Sequence, residues 1–203
     1  MIRLYCATGN RGKLREFRMA SEPRPSGSGL PLVEIDVLPG FAALPPAVES
    51  GATFEENAIL KARHYGPHAP GLLFADDSGL EVDALGGAPG VYSARFSGPH
   101  ATDQANNRLL LEKLRGVENR AARFVCVIAL VEGERLRGVY RGAVEGAILD
   151  APRGSHGFGY DPLFYFPPFG CTFGEAADER KFSVSHRGQA LLAMLAALTK
   201  PRP

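Results

Sequence analysis

Two adjacent carboxylates, Asp76 and Asp77, follow the apolar run "LLFA" and precede a Ser-Gly pair. We interpret "DDSG" as a tight turn between the strands "LLFA" and "LEVDAL", where a fold can hold a carboxylate still and expose it to a ligand. Asp, Ser and Gly are also ordinary turn residues, so a purely structural role stays open. Two like charges this close raise each other's pKa unless a cation lies beside them. The stretch is therefore a candidate site for general-base or metal-assisted chemistry.

A second candidate is "ATGNRGK", residues 7–13, where a strand runs through a glycine turn into a helix. Such a turn presents backbone N–H groups and a helix N-terminus to an anion, with Lys13 as a point charge. The segment is not a Walker A loop, because only two residues separate Gly9 from Gly12 and Leu14 stands where Ser or Thr is needed. An ordinary strand-to-helix turn is the alternative.

The helix predicted over 53–66 carries a polar pair. Thr53 and Glu56 have the spacing of a capping box, which predicts where the helix begins. Asn57 and Lys61 lie four residues apart and share a face of this helix. That face is either a ligand contact or a solvated surface.

Two later segments also have candidate residues. In "HGFGYDP", residues 156–162, glycines bracket Phe158, whose ring can form a stacking platform for a base or fill the core at a sheet edge. In "SHRG", His186 and Arg187 occupy the first turn of the last helix, where the macrodipole disfavours cations. We interpret them as ligand contacts, with a solvated first turn as the alternative.

The elements around these residues indicate an α/β fold with a mixed sheet. Strands are predicted for "IRLYCAT", "PLVEIDVL" and a long hairpin of "ARFVCVIALVEG" with "LRGVYRGAVEGAIL". Helices are predicted for "RGKLREFRMA", for "TDQANNRLLLEKL" with Thr102 as its cap, and for "SHRGQALLAMLAAL". In the last helix Ser185 is the expected cap, and Leu191, Leu195 and Leu198 form the inward stripe. The loop at 21–31 is rich in Pro, Gly and Ser, and its role is open.

Composition predicts one soluble domain spanning residues 1–203. Lys and Arg number 23 against 22 Asp and Glu, so no global field attracts nucleic acid or an anionic membrane. No apolar run is long enough for a membrane span, and the N-terminus has too short a run for a signal peptide. Cys6 and Cys126 are expected in buried strands and Cys171 in a loop, with no disulfide frame. These features predict a cytoplasmic location.

Five motifs in order resemble the inosine triphosphate pyrophosphatase family, which hydrolyses non-standard purine nucleoside triphosphates. They are "TGNRGK", "ESGATFEENAILKA", "ADDSGLEVDALGGAPGVYSAR", "GFGYDP" and "SHRGQAL", and the resemblance spans roughly residues 3–198. It implies an elongated mixed sheet flanked by helices, with two lobes and a central substrate cleft. It also implies a homodimer and a Mg²⁺-dependent reaction that releases the nucleoside monophosphate and pyrophosphate.

The resemblance assigns roles to matching residues. Asp77 matches the general base and, with Glu49, the metal ligands. The residues that match substrate contacts are Thr8, Gly9, Asn10, Arg11, Gly12, Lys13, Lys61, Ser78, Phe158, Gly159, Tyr160, Asp161, Lys181, His186 and Arg187. Because His186 and Arg187 are donors, they suit the 6-keto oxygen of hypoxanthine or xanthine and disfavour adenine. Because successive strand side chains point to opposite faces, the role of Asp76 is open, and a structural role is the alternative.

Two other classes remain as alternatives. A non-catalytic purine nucleotide-binding module would keep the basic and aromatic contacts without needing Glu49 and Asp77 to act on water. The single "DSG" at 77–79 is also typical of aspartic proteases, but that chemistry needs two such carboxylates and leaves the lysines unexplained.

Overall fold

The computed structural model describes residues 2–19 and 31–199. Within them the strands are β1 (Ile2–Cys6), β2 (Val33–Val37), β3 (Leu72–Val82), β4 (Ala121–Glu132), β5 (Arg135–Ile148), β6 (Phe164–Phe166) and β7 (Cys171–Thr172). The α-helices are α1 (Arg11–Arg18), α2 (Phe54–Tyr65), α3 (Asp103–Lys113), α4 (Asp178–Phe182) and α5 (His186–Leu198). The predicted loop at 21–31 lies outside the described residues except for Pro31.

The described strands form one mixed sheet in the order β2-β1-β3-β4-β5-β6-β7. Strand β1 pairs in parallel with both β2 and β3, whereas β6 pairs antiparallel with β5 and β7. Helices and sheet together confirm the predicted α/β class. The chain divides into two compact units, which we describe separately. The predicted single domain and central cleft stay predictions.

Unit 1 takes in the described residues up to Asp77, together with Cys126–Gly142 and the chain from His186. Its core lies around β1 and the first half of β3, with Phe17 of α1 packed edge-to-face on Phe74 at 5.0 Å between ring centroids. Helix α5 starts at His186, as predicted, and buries Leu191 and Leu195, while Leu198 is half-buried. Unit 1 thus has strands backed by helices, the framework on which "TGNRGK" and both aspartates are carried.

Unit 2 comprises Ser78–Val125 and Ala143–Ser185. Its core is aromatic, with Phe124, Phe164 and Phe173 in mutual contact and in one buried cluster with Leu80 and Leu110. Helix α3 begins after Thr102, whose side chain accepts a hydrogen bond from the Ala105 N–H at 3.1 Å, so the predicted cap is confirmed.

The predicted "DDSG" turn is wrong, because β3 runs without interruption from Leu72 to Val82. Gly79 is extended and serves close packing instead, since a Cβ there would lie 2.3 Å from Ser93 Oγ and 2.6 Å from the Gly90 carbonyl oxygen. Ser93 Oγ in turn accepts a hydrogen bond from the Leu80 N–H at 2.9 Å. The sequence pattern of a turn therefore reflects a strand that a neighbouring segment approaches closely.

The cysteines differ from expectation at one position. Cys6 and Cys126 are buried in β1 and β4, as predicted, but Cys171 lies in the short strand β7 and not in a loop. All three thiols are free. Among the described residues no helix is long and apolar enough to cross a membrane.

Candidate active site

The adjacent aspartates of β3 point to different helices of unit 1. Lys13 Nζ of α1 donates to Asp76 Oδ2 at 2.8 Å, and Lys61 Nζ of α2 donates to Asp77 Oδ1 at 2.7 Å. This split follows from the strand, whose successive side chains leave on opposite faces. Both carboxyl groups are buried, with 2% and 9% of their side chains exposed. The lysines of two separate motifs thus each neutralise one buried carboxylate.

Local structure explains why Lys13 and Lys61 are in place. Asn10 caps α1 by accepting a hydrogen bond from the Lys13 N–H at 3.0 Å, and Thr8 Oγ1 accepts one from the Asn10 N–H at 3.2 Å. Thr53 and Glu56 form the predicted capping box that starts α2. Asn57 and Lys61 then share one face of α2, as predicted, and both reach Asp77. The positions at which α1 and α2 begin therefore determine which carboxylate each lysine side chain can contact.

Glu49 completes this cluster from the segment that precedes α2. Its Oε1 lies 3.5 Å from Lys61 Nζ, so one ammonium group pairs with both Glu49 and Asp77. Asn57 Nδ2 lies 3.4 Å from the second oxygen of Asp77, and Asn57 Oδ1 accepts from the Gly51 N–H at 2.8 Å, which ties the glutamate segment to α2. The two predicted metal ligands are thus brought to the same lysine.

The pKa values of the two aspartates move apart. Burial alone would raise the pKa of Asp76, but the positive charges of Lys13, Arg187 and Lys61 outweigh burial and lower it to about 2. Burial raises the pKa of Asp77, and Lys61 and Lys13 offset only part of that effect. Burial would lower the pKa of Lys61, yet the two aspartates raise it, so the ammonium stays charged. Asp76 is therefore a fixed anion, whereas Asp77 is the better proton acceptor.

The donor set suits a small hard cation that also binds substrate. No group of three or more His, Cys, Asp or Glu residues in the described chain could hold a metal ion by itself. Glu49 and Asp77 supply two carboxylates near one point, and Mg²⁺ is commonly held by one or two carboxylates plus phosphate oxygens and water. The residues fit such an ion.

Arg187 and His186 are both buried at the start of α5 in unit 1. The Arg187 guanidinium pairs with Glu16 of α1 and lies 5.9 Å from the centroid of the Phe17 ring. Glu16 was missed by the sequence reasoning, because an acidic residue on a helix carries no signal that its partner is 171 positions away. The base-contact role predicted for His186 and Arg187 stays a prediction.

In unit 2 the glycine-rich segment around Phe158 forms a turn with Asp161 at its centre. Asp161 Oδ2 accepts from the Phe158 N–H at 2.8 Å and from Lys181 Nζ at 2.5 Å. Lys181 Nζ also lies 5.2 Å from the centroid of the Phe158 ring. The predicted contacts Phe158, Asp161 and Lys181 are therefore one cluster, with Gly159 and Tyr160 between them in the chain.

The remaining predicted residues lie beside these groups. Gly9 and Arg11 are exposed at the start of α1, Gly12 is half-buried in its first turn, and Ser78 is half-buried on β3 next to Asp77. A largely apolar cavity of about 510 Å³ also adjoins the α1 start, lined by Thr8, Gly9, Asn10, Arg11, Leu14, Val37, Leu38, Gly40, Phe41, Ala42 and Ala43.

The fold and site define an α/β protein with a capped glycine-containing loop at the start of α1 and two adjacent carboxylates that are each paired with a lysine. The chain belongs to the Ham1 family, whose model matches residues 4–197. It is 52% identical over 195 residues to a dITP/XTP pyrophosphatase of Syntrophobacter fumaroxidans, covering 94% of this chain and 79% of that protein. It is 51% identical over 199 residues to a dITP/XTP pyrophosphatase of Thermus thermophilus, covering 97% of this chain and 91% of that protein.

Solved structures agree with this assignment. A HAM1 protein from Coxiella burnetii superposes with a TM-score of 0.84 at 38% identity, covering 99% of this chain and 100% of that chain. The predicted family resemblance is therefore confirmed.

Proposed function

We propose that this protein hydrolyses non-standard purine nucleoside triphosphates, ITP, dITP, XTP and dXTP, to the monophosphate and pyrophosphate. The observation that carries the proposal is the pair of neighbouring carboxylates on β3, one held as an anion by Lys13 and the other beside Lys61 and Glu49. Relatives at about half identity that are named dITP/XTP pyrophosphatase support the substrate class. The reaction removes such nucleotides from the pool.

Lys13 and Lys61 bind the polyphosphate in this proposal. An ammonium group has three donors, so Lys61 can keep Asp77 and still donate to a phosphate oxygen. The first N–H groups of α1, together with Thr8 and Asn10, add donors at a helix N-terminus, where phosphate is favoured. Positive charge fixed at these points stabilises the charge that develops on the phosphates during transfer.

Asp77 accepts the proton of the attacking water. The water oxygen forms the new bond to phosphorus, the anhydride bond between the α- and β-phosphates breaks, and pyrophosphate leaves. Adjacent carboxyl groups whose pKa values are pushed apart mark which one acts as the base, and here burial raises the pKa of Asp77 while that of Asp76 falls to about 2. Asp76 keeps Lys13 in position.

We assign Mg²⁺ to Glu49 and Asp77, which fit it as two carboxylate ligands. When bound, Mg²⁺ neutralises phosphate charge and polarises the phosphoryl oxygens.

We assign recognition of the purine to Ser78, the Phe158–Asp161 turn, Lys181, His186 and Arg187. A reducing cytoplasm suits the three free thiols, and a homodimer is the assembly we propose.

The test is a panel of ITP, dITP, XTP, GTP and ATP with Mg²⁺, with and without EDTA, in an assay that separates pyrophosphate from orthophosphate. We expect pyrophosphate to be released from ITP and XTP far faster than from GTP, with ATP slowest, because a donor-lined base site leaves the adenine amino group without an acceptor. Tight binding of these nucleotides without turnover would instead favour the non-catalytic module. Comparable kcat/KM for ATP and ITP would contradict the roles of His186 and Arg187.

A further inference from the structure

The first two turns of α3 hold Gly159 of the Phe158 segment by both of its backbone polar groups. Asp103 Oδ2 accepts a hydrogen bond from the Gly159 N–H at 2.7 Å, and Asn107 Nδ2 donates to the Gly159 carbonyl oxygen at 3.1 Å. The two side chains lie four residues apart and so project from one face of the helix. We call this arrangement the α3 clamp.

The segment needs such restraint. Gly157 and Gly159 bracket Phe158 with φ of +73° and +63°, a left-handed conformation that glycine adopts readily but does not enforce. The Phe158 N–H donates a hydrogen bond to the Asp161 carboxylate. The Tyr160 hydroxyl donates one to the Ser93 carbonyl oxygen at 2.8 Å, so the residues on both sides of Gly159 are anchored. Gly159 lies between these two anchored residues, and α3 supplies a hydrogen bond to each of its two backbone polar groups.

Neither clamp residue is explained by packing of the core. Asp103 is exposed and Asn107 is half-buried. The Asn107 Oδ1 atom is buried and has no hydrogen-bond partner among the described residues, so the amide is oriented by its bond to Gly159 at the expense of its own oxygen. Buried polar atoms without a partner are uncommon and call for an explanation. Here the explanation is that the Asn107 amide is turned toward Gly159.

We propose that Asp103 and Asn107 are positioning residues for nucleotide binding, which hold Gly159 so that the Phe158 ring is presented in one orientation to the purine. The inference rests on the proposed function. It adds two residues outside the five motifs, acting through the Gly159 peptide without touching the substrate. Because the clamp orders a recognition segment and contacts none of the reacting groups, its loss should weaken binding of the nucleoside part and leave the chemical step intact.

The kinetic test uses Asp103→Ala and Asn107→Asp. We expect KM for ITP to rise about tenfold, as for the loss of a hydrogen bond to a charged or strongly polar group, with kcat changed less than twofold. Inhibition by inorganic tripolyphosphate, which has no base, should be unchanged in both variants. Asp103→Asn keeps an acceptor oxygen and should restore most of the affinity, and Gln104→Ala, an exposed neighbour on α3, is the matched control.

Equal loss of ITP and tripolyphosphate binding would overturn the inference, because it would show general damage to the fold. Unchanged KM in both variants would also overturn it. If the wild-type protein does not hydrolyse ITP at all, the proposed function fails instead.

A second measurement does not depend on turnover. The chain contains no tryptophan, so Phe158→Trp introduces a single indole at the clamped segment. We expect adding Asp103→Ala to lower the fluorescence anisotropy of that indole at the same global stability, since the segment gains freedom. Unchanged anisotropy would show that the clamp does not order the ring.

Discussion

At the scale of single residues, Asp76 and Asp77 show how neighbours in sequence acquire different properties. Each is buried and each has a lysine within 2.8 Å. Asp76, however, also receives the positive charge of Arg187, whereas burial raises the pKa of Asp77 and the charge of Asp76 adds to that increase. A one-residue step along β3 therefore separates a permanent anion from a group that can accept a proton.

Replacing Asp77 by Asn should keep the fold and most nucleotide affinity but lower kcat for ITP by roughly 10²–10⁴-fold, the usual contribution of a positioned acid or base. The amide is nearly isosteric, so Lys61 and Asn57 keep a neighbour of the same shape. Steady-state kinetics with ITP and Mg²⁺ measures the effect, and Glu55→Gln, exposed on α2, is the control. Near-normal turnover by the purified variant would remove Asp77 from the mechanism.

Sequence patterns predicted the residues of this cluster better than their pairing. The four-residue spacing of Asn57 and Lys61 predicted a shared face, and both do reach Asp77. Which lysine binds which carboxylate depends on where α1 and α2 lie against β3, and no local pattern carries that information. The partnership of Glu16 with Arg187 was invisible for the same reason.

At the scale of elements, β3 shows most clearly where a prediction from local sequence differs from the structure. Local turn preferences of Asp, Ser and Gly predicted a break, but the strand continues because the segment at 90–93 packs against it at Gly79. The capping box of α2 was predictable, since its signal lies within four residues. Long-range contacts thus override weak local preferences where a glycine permits close approach.

Gly79→Ala should lower the free energy of unfolding by roughly 1–3 kcal/mol, because the added methyl overpacks the strand. A Cβ there would lie 2.6 Å from the Gly90 carbonyl oxygen, a backbone atom that cannot rotate away. Gly71→Ala is the matched control, since a Cβ at Gly71 meets nothing within 4 Å. Urea denaturation measures both, and equal stability of the two variants would show that the 90–93 segment yields without cost.

At the scale of the whole molecule, charge is balanced overall and concentrated locally. With 23 basic and 22 acidic residues, the protein gains little long-range attraction for an anionic substrate. The charges that matter for the stability of the fold are those of the buried ion pairs, because salt screens their interactions little. The response of the fold to acid should therefore depend on groups such as Asp76 more than on net charge.

Acid should remove the contribution of Asp76 to stability in a defined window. Its pKa is about 2 in the folded protein and 3.8 in an unfolded chain, so its contribution is complete above about pH 5 and is lost as pH falls through about 2. The difference in unfolding free energy between the wild type and Asp76→Asn should shrink by about 1.5 kcal/mol from pH 6 to pH 2.5. Urea titrations at both pH values, without metal, measure it. A constant difference would show that Lys13 does not stabilise the ionised carboxylate.

The sulfur atoms near this carboxylate have a consequence for chemical durability. Cys126 Sγ lies 4.0 Å from Asp76 Oδ2, and burial together with the Asp76 charge raises the pKa of both Cys126 and Cys6. Peroxides and alkylating agents react with the thiolate. Because the raised pKa keeps Cys6 and Cys126 protonated, these two thiols in the core of unit 1 are inert. Oxidative damage should begin instead at the half-buried Cys171 in unit 2, which leaves the carboxylate cluster intact while the protein ages.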